Sequence, residues 1–164
     1  MSETNISGGD TTPFYEDIMP IPDLDSDYLP EGIYECTLDE IKSHFGNNQR
    51  RDELCKKLSQ YLSDARNARI NGYLIIDGSF VTSKEMPGDI DAILVICGNY
   101  SLLAPITRKE YELISPSNTK SEYEIHLIPT YEDEPDITNH WIDFFKKVRG
   151  NNTHIKKGLL RVAI

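Results

Sequence analysis

The sequence YLIIDGSFVTSKEMPGDIDAILVI, which occupies residues 73–96, contains two apolar runs separated by a polar loop. Short apolar runs bounded by Gly and Pro are typical of buried β-strands. The first predicted strand ends at Gly78 and Ser79, and the second begins with Asp89 and Asp91 on either side of an isoleucine. Side chains two positions apart on a strand point to the same face, so the stretch predicts that these two carboxylates project together.

A pair of neighbouring carboxylates indicates a site for a divalent cation. Two negative charges held side by side repel each other, and a cation relieves that repulsion. Hard oxygen ligands suit Mg²⁺ or Mn²⁺ and leave coordination positions for substrate phosphates. Gly78 has no Cβ to block close approach, so its backbone and the Ser79 hydroxyl would hold a phosphate nearby. We therefore expect Asp89 and Asp91 to bind metal beside a phosphate site.

These residues resemble the signature of the DNA polymerase beta-like nucleotidyltransferase superfamily: a strand, Gly-Ser, about ten residues, and Asp-x-Asp at the start of the next strand. The wider chain, from the Leu-Pro-Glu-Gly of residues 29–32 to Lys157-Gly158, is similar to small bacterial proteins known only as a nucleotidyltransferase-like domain of unknown function. The resemblance implies an α/β (α+β) fold, in which a small mixed β-sheet is flanked by helices as a minimal nucleotidyltransferase fold.

The resemblance also implies a chemistry. Members of the superfamily use Asp-x-Asp and a third acidic residue to bind two metal ions, which activate a hydroxyl and neutralise the pyrophosphate leaving group. For this chain it implies a nucleotidyltransferase that moves a nucleoside monophosphate from an NTP to a hydroxyl of a protein, an RNA or a small molecule. Minimal members often occur in toxin–antitoxin or phage-defence modules.

The third ligand is the point where this sequence departs from the superfamily pattern. It would stand on a predicted strand at residues 122–129, EYEIHLIP, where His126 aligns with the acidic position and Glu124 points to the same face. Either Glu124 is the third metal ligand, with the register of the strand shifted by two residues, or His126 has replaced the acidic residue. Imidazole suits Mn²⁺ or Zn²⁺ better than Mg²⁺, and His126 is also a candidate general base. The alternative is a structural histidine beside relics of a lost activity.

Cations for the triphosphate come from two places in the sequence. Lys84, in the loop between the two strands, would reach a β- or γ-phosphate. Arg149, Lys156 and Lys157 follow the last predicted helix, in an Arg-Gly and Lys-Gly pattern that recurs in the resembled family. The alternative for each is a solvated side chain.

Charge divides the chain into an acidic arm and a neutral remainder. Residues 1–40 hold eleven of the 27 acidic residues and no Lys or Arg, whereas the other 124 residues carry 16 acidic and 17 basic groups. We expect an acidic, Pro-rich arm at residues 1–32, extended over a nucleotidyltransferase-like domain at residues 33–164. The alternative is an arm whose carboxylates mimic a polyanion or shield a basic cleft, and the arm is also a possible contact for a protein partner. With no basic stripe, direct DNA binding is disfavoured.

The chain carries no sign of export or membrane insertion. Its three cysteines are odd in number and widely spaced, which favours reduced thiols over a disulfide or zinc framework. No apolar run approaches the ~20 residues of a membrane span. We therefore expect a soluble cytoplasmic protein without a membrane partner.

Helical periodicity predicts the rest of the scaffold. A capping box at Thr37 opens a short helix that ends near Gly46. Further helices are expected at residues 49–70, 108–114 and 137–148, a loop at residues 115–118, and a final strand at residues 159–164. In the last helix, five apolar residues are expected to face the core, and Trp141 to be a core residue and not a base-stacking surface: Ile137, Trp141, Phe144, Phe145 and Val148.

A second function remains open from the sequence. The chain would be a catalytically silent binding module that keeps the fold and binds a nucleotide or a protein partner. The compact length and His126 favour this interpretation, whereas the intact Gly-Ser and Asp-x-Asp residues favour an enzyme.

Overall fold

The computed structural model describes residues 21–98 and 105–164, which form one mixed sheet with helices on both faces. The α/β class and the mixed sheet predicted from the sequence are confirmed. The strands are β1 Ile33–Glu35, β2 Gly72–Asp77, β3 Ile90–Ile96, β4 Ile125–Tyr131 and β5 Leu159–Ala163. The helices are α1 Leu38–Phe45, α2 Gln49–Asn67, α3 Arg108–Ile114, α4 Pro116–Tyr123 and α5 Pro135–Lys146.

The strands lie in the order β1-β5-β2-β3-β4. Strand β2 is antiparallel to both of its neighbours, β5 and β3, while the outer pairs β1–β5 and β3–β4 are parallel. The central β2–β3 pair is the stretch from which the fold was predicted. Strand β1 was not predicted, because three residues are too few to show an alternating pattern.

The two faces of the sheet carry cores of different size. On one face, Leu74, Ile76, Ala92 and Leu94 pack with residues of α1, α2, α3 and α4 in the larger core. This burial confirms that the residues alternating with the Asp-x-Asp carboxylates point away from them. The opposite face carries a smaller core beneath α5, formed by Ile75, Ile93, Val95, Phe145 and Leu159. Because α5 covers only part of this face, one end of the sheet remains accessible.

The described part of the predicted arm, residues 21–32, lies against the body of the protein. Ile21 and Leu29 are buried in the larger core. Tyr28 forms an isolated antiparallel bridge with Thr82, which ties the arm to the loop between β2 and β3. Residues 1–20, which carry the rest of the predicted arm, lie outside the described residues.

Several element boundaries and one loop were predicted wrongly. Helix α5 runs from Pro135 to Lys146, whereas residues 137–148 were predicted. Helix α2 ends at Asn67, because Arg69 has a left-handed backbone with φ 62°. Residues 115–118 do not form a loop, because Pro116 occupies the first turn of α4, where its missing N–H costs nothing. The helix runs on to Tyr123, and Glu124, with φ 55°, ends it. Strand β4 therefore begins at Ile125, not at residue 122.

Helix α5 faces the core with fewer residues than its periodicity suggested. Phe145 and the following Val148 are buried, as predicted. Ile137 is 47% exposed and Phe144 43% exposed, so their expected place in the core is wrong. Trp141 is only partly buried. The helix is amphipathic, but the sheet beneath it is too small to cover its whole apolar stripe.

Two negative expectations concern the thiols and the membrane. Cys36, Cys55 and Cys97 are free, as the sequence predicted. Within residues 21–98 and 105–164, every helix is too short or too polar to cross a bilayer.

Candidate functional site

Three neighbouring strands place a row of ionisable side chains on the α5 face of the sheet. Asp77, the last residue of β2, is the register partner of Asp91 on β3, and Asp91 is in turn the register partner of His126 on β4. Register partners on adjacent strands present their side chains to the same face. The row therefore lies at the end of the sheet that α5 leaves uncovered.

This row opens into a cleft of about 870 Å³. Gly78, Ser79, Asp91 and His126 form its floor. One wall is made by the loop between β2 and β3 and by the arm that crosses it: Asp27, Tyr28, Thr82, Ser83 and Lys84. The other wall is made by α5, the segment after it and the end of β4: Ile128, Trp141, Phe144, Phe145, Lys147, Val148, Arg149 and Lys157. Of the sequence-predicted residues, the cleft brings together Gly78, Ser79, Lys84, Asp91, His126, Arg149 and Lys157.

Asp91 lies where only a glycine at position 78 can accommodate it. A Cβ on Gly78 would be 2.1 Å from Asp91 Oδ2, and the glycine has a φ of +80°. The other carboxylate oxygen, Oδ1, is 3.1 Å from Nδ1 of His126. The Gly78 signal in the sequence thus reflects close packing against Asp91 in addition to the turn itself.

Asp89 does not share this environment. It precedes β3, and its carboxylate makes an ion pair with the ammonium group of Lys120 on α4. The cleft-lining residues include Asp91 but not Asp89. The two carboxylates of the Asp-x-Asp motif therefore have different partners, His126 for Asp91 and Lys120 for Asp89.

Glu124 also lies outside the residues that line the cleft. Its carboxylate oxygen Oε1 accepts a hydrogen bond of 3.0 Å from Arg50, whose guanidinium also binds the backbone carbonyls of Pro87 and Gly88. Glu124 was predicted to lie on the strand, but this is wrong, because the residue ends α4 in a left-handed conformation. Of the two alternatives for the third position, His126 is the one in register with Asp91.

A buried ion pair beneath the floor was not predicted. Lys157 Nζ lies 2.7 Å from Asp77 Oδ1, and both side chains are largely buried. The angles at this contact are not those of a hydrogen bond, so Oδ1 has an ion-pair partner but no aligned donor. Burial raises the pKa of Asp77, and the nearby Asp91 adds to the rise, whereas Lys157 and the Gly78 N–H oppose it. The position of Asp77 at the end of an apolar strand was the available signal.

Arg51 is the other functional residue that the sequence did not reveal. It is 3% exposed and donates hydrogen bonds to the backbone carbonyls of Phe80, Thr82 and Lys84, at 2.7, 2.6 and 2.6 Å. These contacts fix the loop between β2 and β3 that forms one cleft wall. A charged residue in the first turn of an amphipathic helix gives no signal of such burial.

The cleft carries more cations than the sequence analysis assigned to it. Lys84, Arg149 and Lys157 were expected there, whereas Lys147 was not. Lys156, the remaining candidate, lies 3.7 Å from Glu31 and is not a lining residue. Positive side chains thus stand on both walls around an acidic floor.

The described residues supply only part of a carboxylate site for a hard divalent cation. Within the described ranges, no group of three or more His, Cys, Asp or Glu side chains is close enough to form a complete metal site. Asp91 presents a carboxylate in the cleft, and Asp89 two residues earlier would supply a second once Lys120 releases it. Phosphate oxygens of a substrate would complete such a set, as they do in many Mg²⁺ sites.

Comparison with known proteins identifies a family but no activity. Neither the curated proteins nor the solved structures contain a match to this chain. The family described as "Family of unknown function (DUF6932)" matches residues 22–163, which include every residue of the cleft. The chain therefore belongs to this family, DUF6932.

Proposed function

We propose that the protein is a metal-dependent nucleotidyltransferase of the DNA polymerase beta-like superfamily, which moves a nucleoside monophosphate from an NTP to a hydroxyl group. The observation that carries the proposal is the convergence of Gly78, Ser79, Asp91 and His126 on the floor of one cleft with cations on both walls. Fixed charges and backbone donors around a phosphate are the main requirements of phosphoryl transfer.

The acidic residues and the turn have separate roles in this proposal. Asp89 and Asp91 would hold Mg²⁺ or Mn²⁺, which when bound neutralises charge on the triphosphate. Lys120 pairs with Asp89 and would have to release this carboxylate before it could hold the ion. Gly78 and Ser79 bind the phosphates at the end of β2, and Lys84 adds a positive charge from the loop.

His126 is the general base. If its Nδ1–H donates to Asp91 Oδ1, the neutral imidazole presents an unprotonated Nε2, which accepts the proton of the acceptor hydroxyl. The hydroxyl oxygen then forms a bond to the α-phosphorus, the bond between that phosphorus and the bridging oxygen to the β-phosphate breaks, and pyrophosphate leaves.

The test combines binding and product formation. Thermal stabilisation and pyrophosphate release are measured with each of the four NTPs, in Mg²⁺ and then in Mn²⁺. We expect metal-dependent stabilisation that Asp91→Asn abolishes and that Asp143→Asn, an exposed carboxylate on α5 outside the cleft, leaves intact. Pyrophosphate release identifies an enzyme. If no NTP stabilises the wild type with either metal, the proposal is wrong.

A specific observation favours a second candidate, a nucleotide-binding module without catalysis. The chain already neutralises its own acidic residues, because Lys157 pairs with Asp77 and Lys120 pairs with Asp89. A module of this kind would bind an NTP without metal and would release no pyrophosphate. Binding that survives both EDTA and Asp89→Asn would select this candidate over the enzyme.

The compartment, the acceptor and a protein partner are further parts of the proposal. Three free thiols at Cys36, Cys55 and Cys97 support a reducing compartment such as the cytoplasm. The acceptor hydroxyl would belong to a protein, an RNA or a small molecule, and the acidic arm is a candidate contact for a protein partner.

A further inference from the structure

The wall of the cleft formed by α5 is aromatic and partly uncovered. Trp141 and Phe144 both line the cleft, with ring centroids 5.8 Å apart and an interplanar angle of 85°. Phe144 is 43% exposed, and Trp141 is intermediate in exposure. Large aromatic side chains on a concave surface lose apolar burial unless a ligand covers them.

Trp141 is held in place from behind. It packs against the smaller core on this face of the sheet, as Ile128 and Ile142 also do, and it borders the cleft. A ring fixed in this way loses little conformational entropy when a ligand stacks on it. Trp141 is therefore better placed than a freely rotating surface aromatic to bind a flat group.

The charges beside this wall indicate what kind of flat group it would bind. Lys147 and Arg149 follow α5 on the same wall, and the guanidinium carbon of Arg149 lies 5.3 Å from the centre of the Phe144 ring. Lys84 faces them from the opposite wall. An aromatic surface with cations on two sides matches a ligand that combines a flat ring with a polyanion, which is the chemistry of a nucleotide.

We propose that Trp141 is the stacking surface for the nucleobase, and that the phosphates extend from there toward Gly78, Ser79 and Lys84. This inference rests on the proposed function and adds the position of the base to it. Stacking uses the π-face that every base has, so the subsite accepts purines and pyrimidines with only modest preference.

The chain offers a direct probe, because Trp141 is its single tryptophan. Intrinsic fluorescence is titrated with ATP and with inorganic tripolyphosphate at matched free Mg²⁺, and N-acetyltryptophanamide corrects for light absorbed by the nucleotide. We expect ATP to quench Trp141 saturably. Tripolyphosphate, which has no base, should stabilise the protein thermally without quenching it and should bind about tenfold more weakly.

Substitutions separate stacking from folding. Trp141→Leu should weaken ATP binding, measured by calorimetry, by roughly 5- to 100-fold while tripolyphosphate binding is unchanged. Trp141→Phe should retain most of the affinity. Ile137→Ala, on the same helix but outside the cleft, is the matched control and should alter neither ligand.

Two contrary results have different meanings. Equal affinities for ATP and tripolyphosphate in the wild type, or an unchanged ATP affinity in Trp141→Leu, would overturn the base subsite and leave the phosphate site in place. If neither ligand binds the wild type, the nucleotide function itself is wrong, and the base subsite with it.

Discussion

The position of the Asp91 side chain depends on the absence of a Cβ atom at Gly78. The carboxylate of Asp91 fills the space in which a side chain at position 78 would begin. Asp91 then contacts His126, so a change at Gly78 would affect the whole row of ionisable residues. The small size of one residue thereby controls the position of two others.

Gly78→Ala should destabilise the protein by about 3 kcal/mol or more, because backbone strain adds to a clash with Asp91. Gly150→Ala is the matched control: its φ is +84° and no atom lies within 4 Å of the position that a Cβ would take, so it should cost only about 1 kcal/mol. Urea denaturation measures both. In an Asp91→Ala background, the loss of unfolding free energy caused by Gly78→Ala should fall toward that of the control. An equally large loss in this background would exclude a clash with Asp91 as its cause.

Lys157→Met should cost about 3 kcal/mol at neutral pH, because it leaves the carboxylate of Asp77 buried and unpaired. Lys156→Met, next to it on the surface, should change stability by less than about 0.5 kcal/mol. Unfolding free energies from urea titrations provide the comparison.

The destabilisation by Lys157→Met should also depend on pH. Burial raises the pKa of Asp77 above its ordinary value of 3.8, and removal of Lys157 takes away an interaction that opposes the rise. A raised pKa in the folded state favours folding while the carboxyl is protonated, and this contribution is lost as the pH rises through the folded pKa. The difference between variant and wild type should therefore shrink in acid. A difference independent of pH would mean that Asp77 is not the source.

The residues of the site differed in how far the sequence could predict them. Gly78, Ser79 and Asp91 were predictable because their spacing is local and their residue types restrict the chemistry. The Asp77 ion pair was not, because its partner is 80 positions away, at Lys157. A local sequence pattern does not indicate which distant side chain will form an ion pair with a buried carboxylate.

At the scale of elements, α2 determines the shape of the loop between β2 and β3. The buried guanidinium of Arg51 binds three carbonyl oxygens of this loop, those of Phe80, Thr82 and Lys84. A helix that belongs to the core on one face of the sheet thus organises a wall of the cleft on the other.

Arg51→Met should cost roughly 3–5 kcal/mol, because buried carbonyls lose their donors. It should also weaken NTP binding by more than the loss of stability explains, since the loop would no longer be fixed. Arg66→Met, which removes a single exposed contact with Ala163, should cost less than about 1 kcal/mol. Urea denaturation and calorimetric titration with ATP test the pair. Unchanged ATP binding in a folded Arg51→Met variant would show that the loop is ordered by other means.

Elements with a strong apolar period were predicted well, and those decided by packing were not. The capping box at Thr37 begins α1 as expected, and α3 has the predicted bounds, Arg108–Ile114. Helix α4 was missed because Ser-Pro-Ser-Asn is also common in turns, and only packing of Thr119 and Tyr123 against the core selects the helix. The extent to which the sheet would cover α5 likewise depends on tertiary structure.

At the scale of the whole molecule, the N-terminal segment closes the fold. The N–H of Gly158 donates to the carbonyl of Leu29, and that of Leu159 to Gly32 at the edge of the sheet. Leu29 is 1% exposed, so the segment supplies part of the core in addition to covering it. The described part of the acidic arm, residues 21–32, is therefore structural.

Deletion of residues 1–32 should destabilise the protein by several kcal/mol, because it removes the buried side chains of Ile21 and Leu29. Deletion of residues 1–20 is the control, since it leaves every described contact in place. The midpoint of thermal unfolding compares the two with the full chain. Equal midpoints for both deletions would mean that the segment contributes little to folding.

Arg51 hydrogen-bonds to the loop through main-chain oxygens and also lies over the ring of Phe80, with its guanidinium carbon 5.7 Å from the ring centre. None of these contacts uses a side-chain atom of Thr82, Ser83 or Lys84, and this has a consequence for protein engineering. Thr82, Ser83 and Lys84 border the cleft from this fixed backbone. The Thr82 hydroxyl donates to the Ser79 carbonyl and accepts from the Lys84 N–H, so it belongs to the frame of the loop. A library randomised at Ser83 and Lys84, with Thr82 retained, would therefore vary the chemistry of one wall while its course stayed the same, which makes the loop a natural starting point for selecting new ligand preferences.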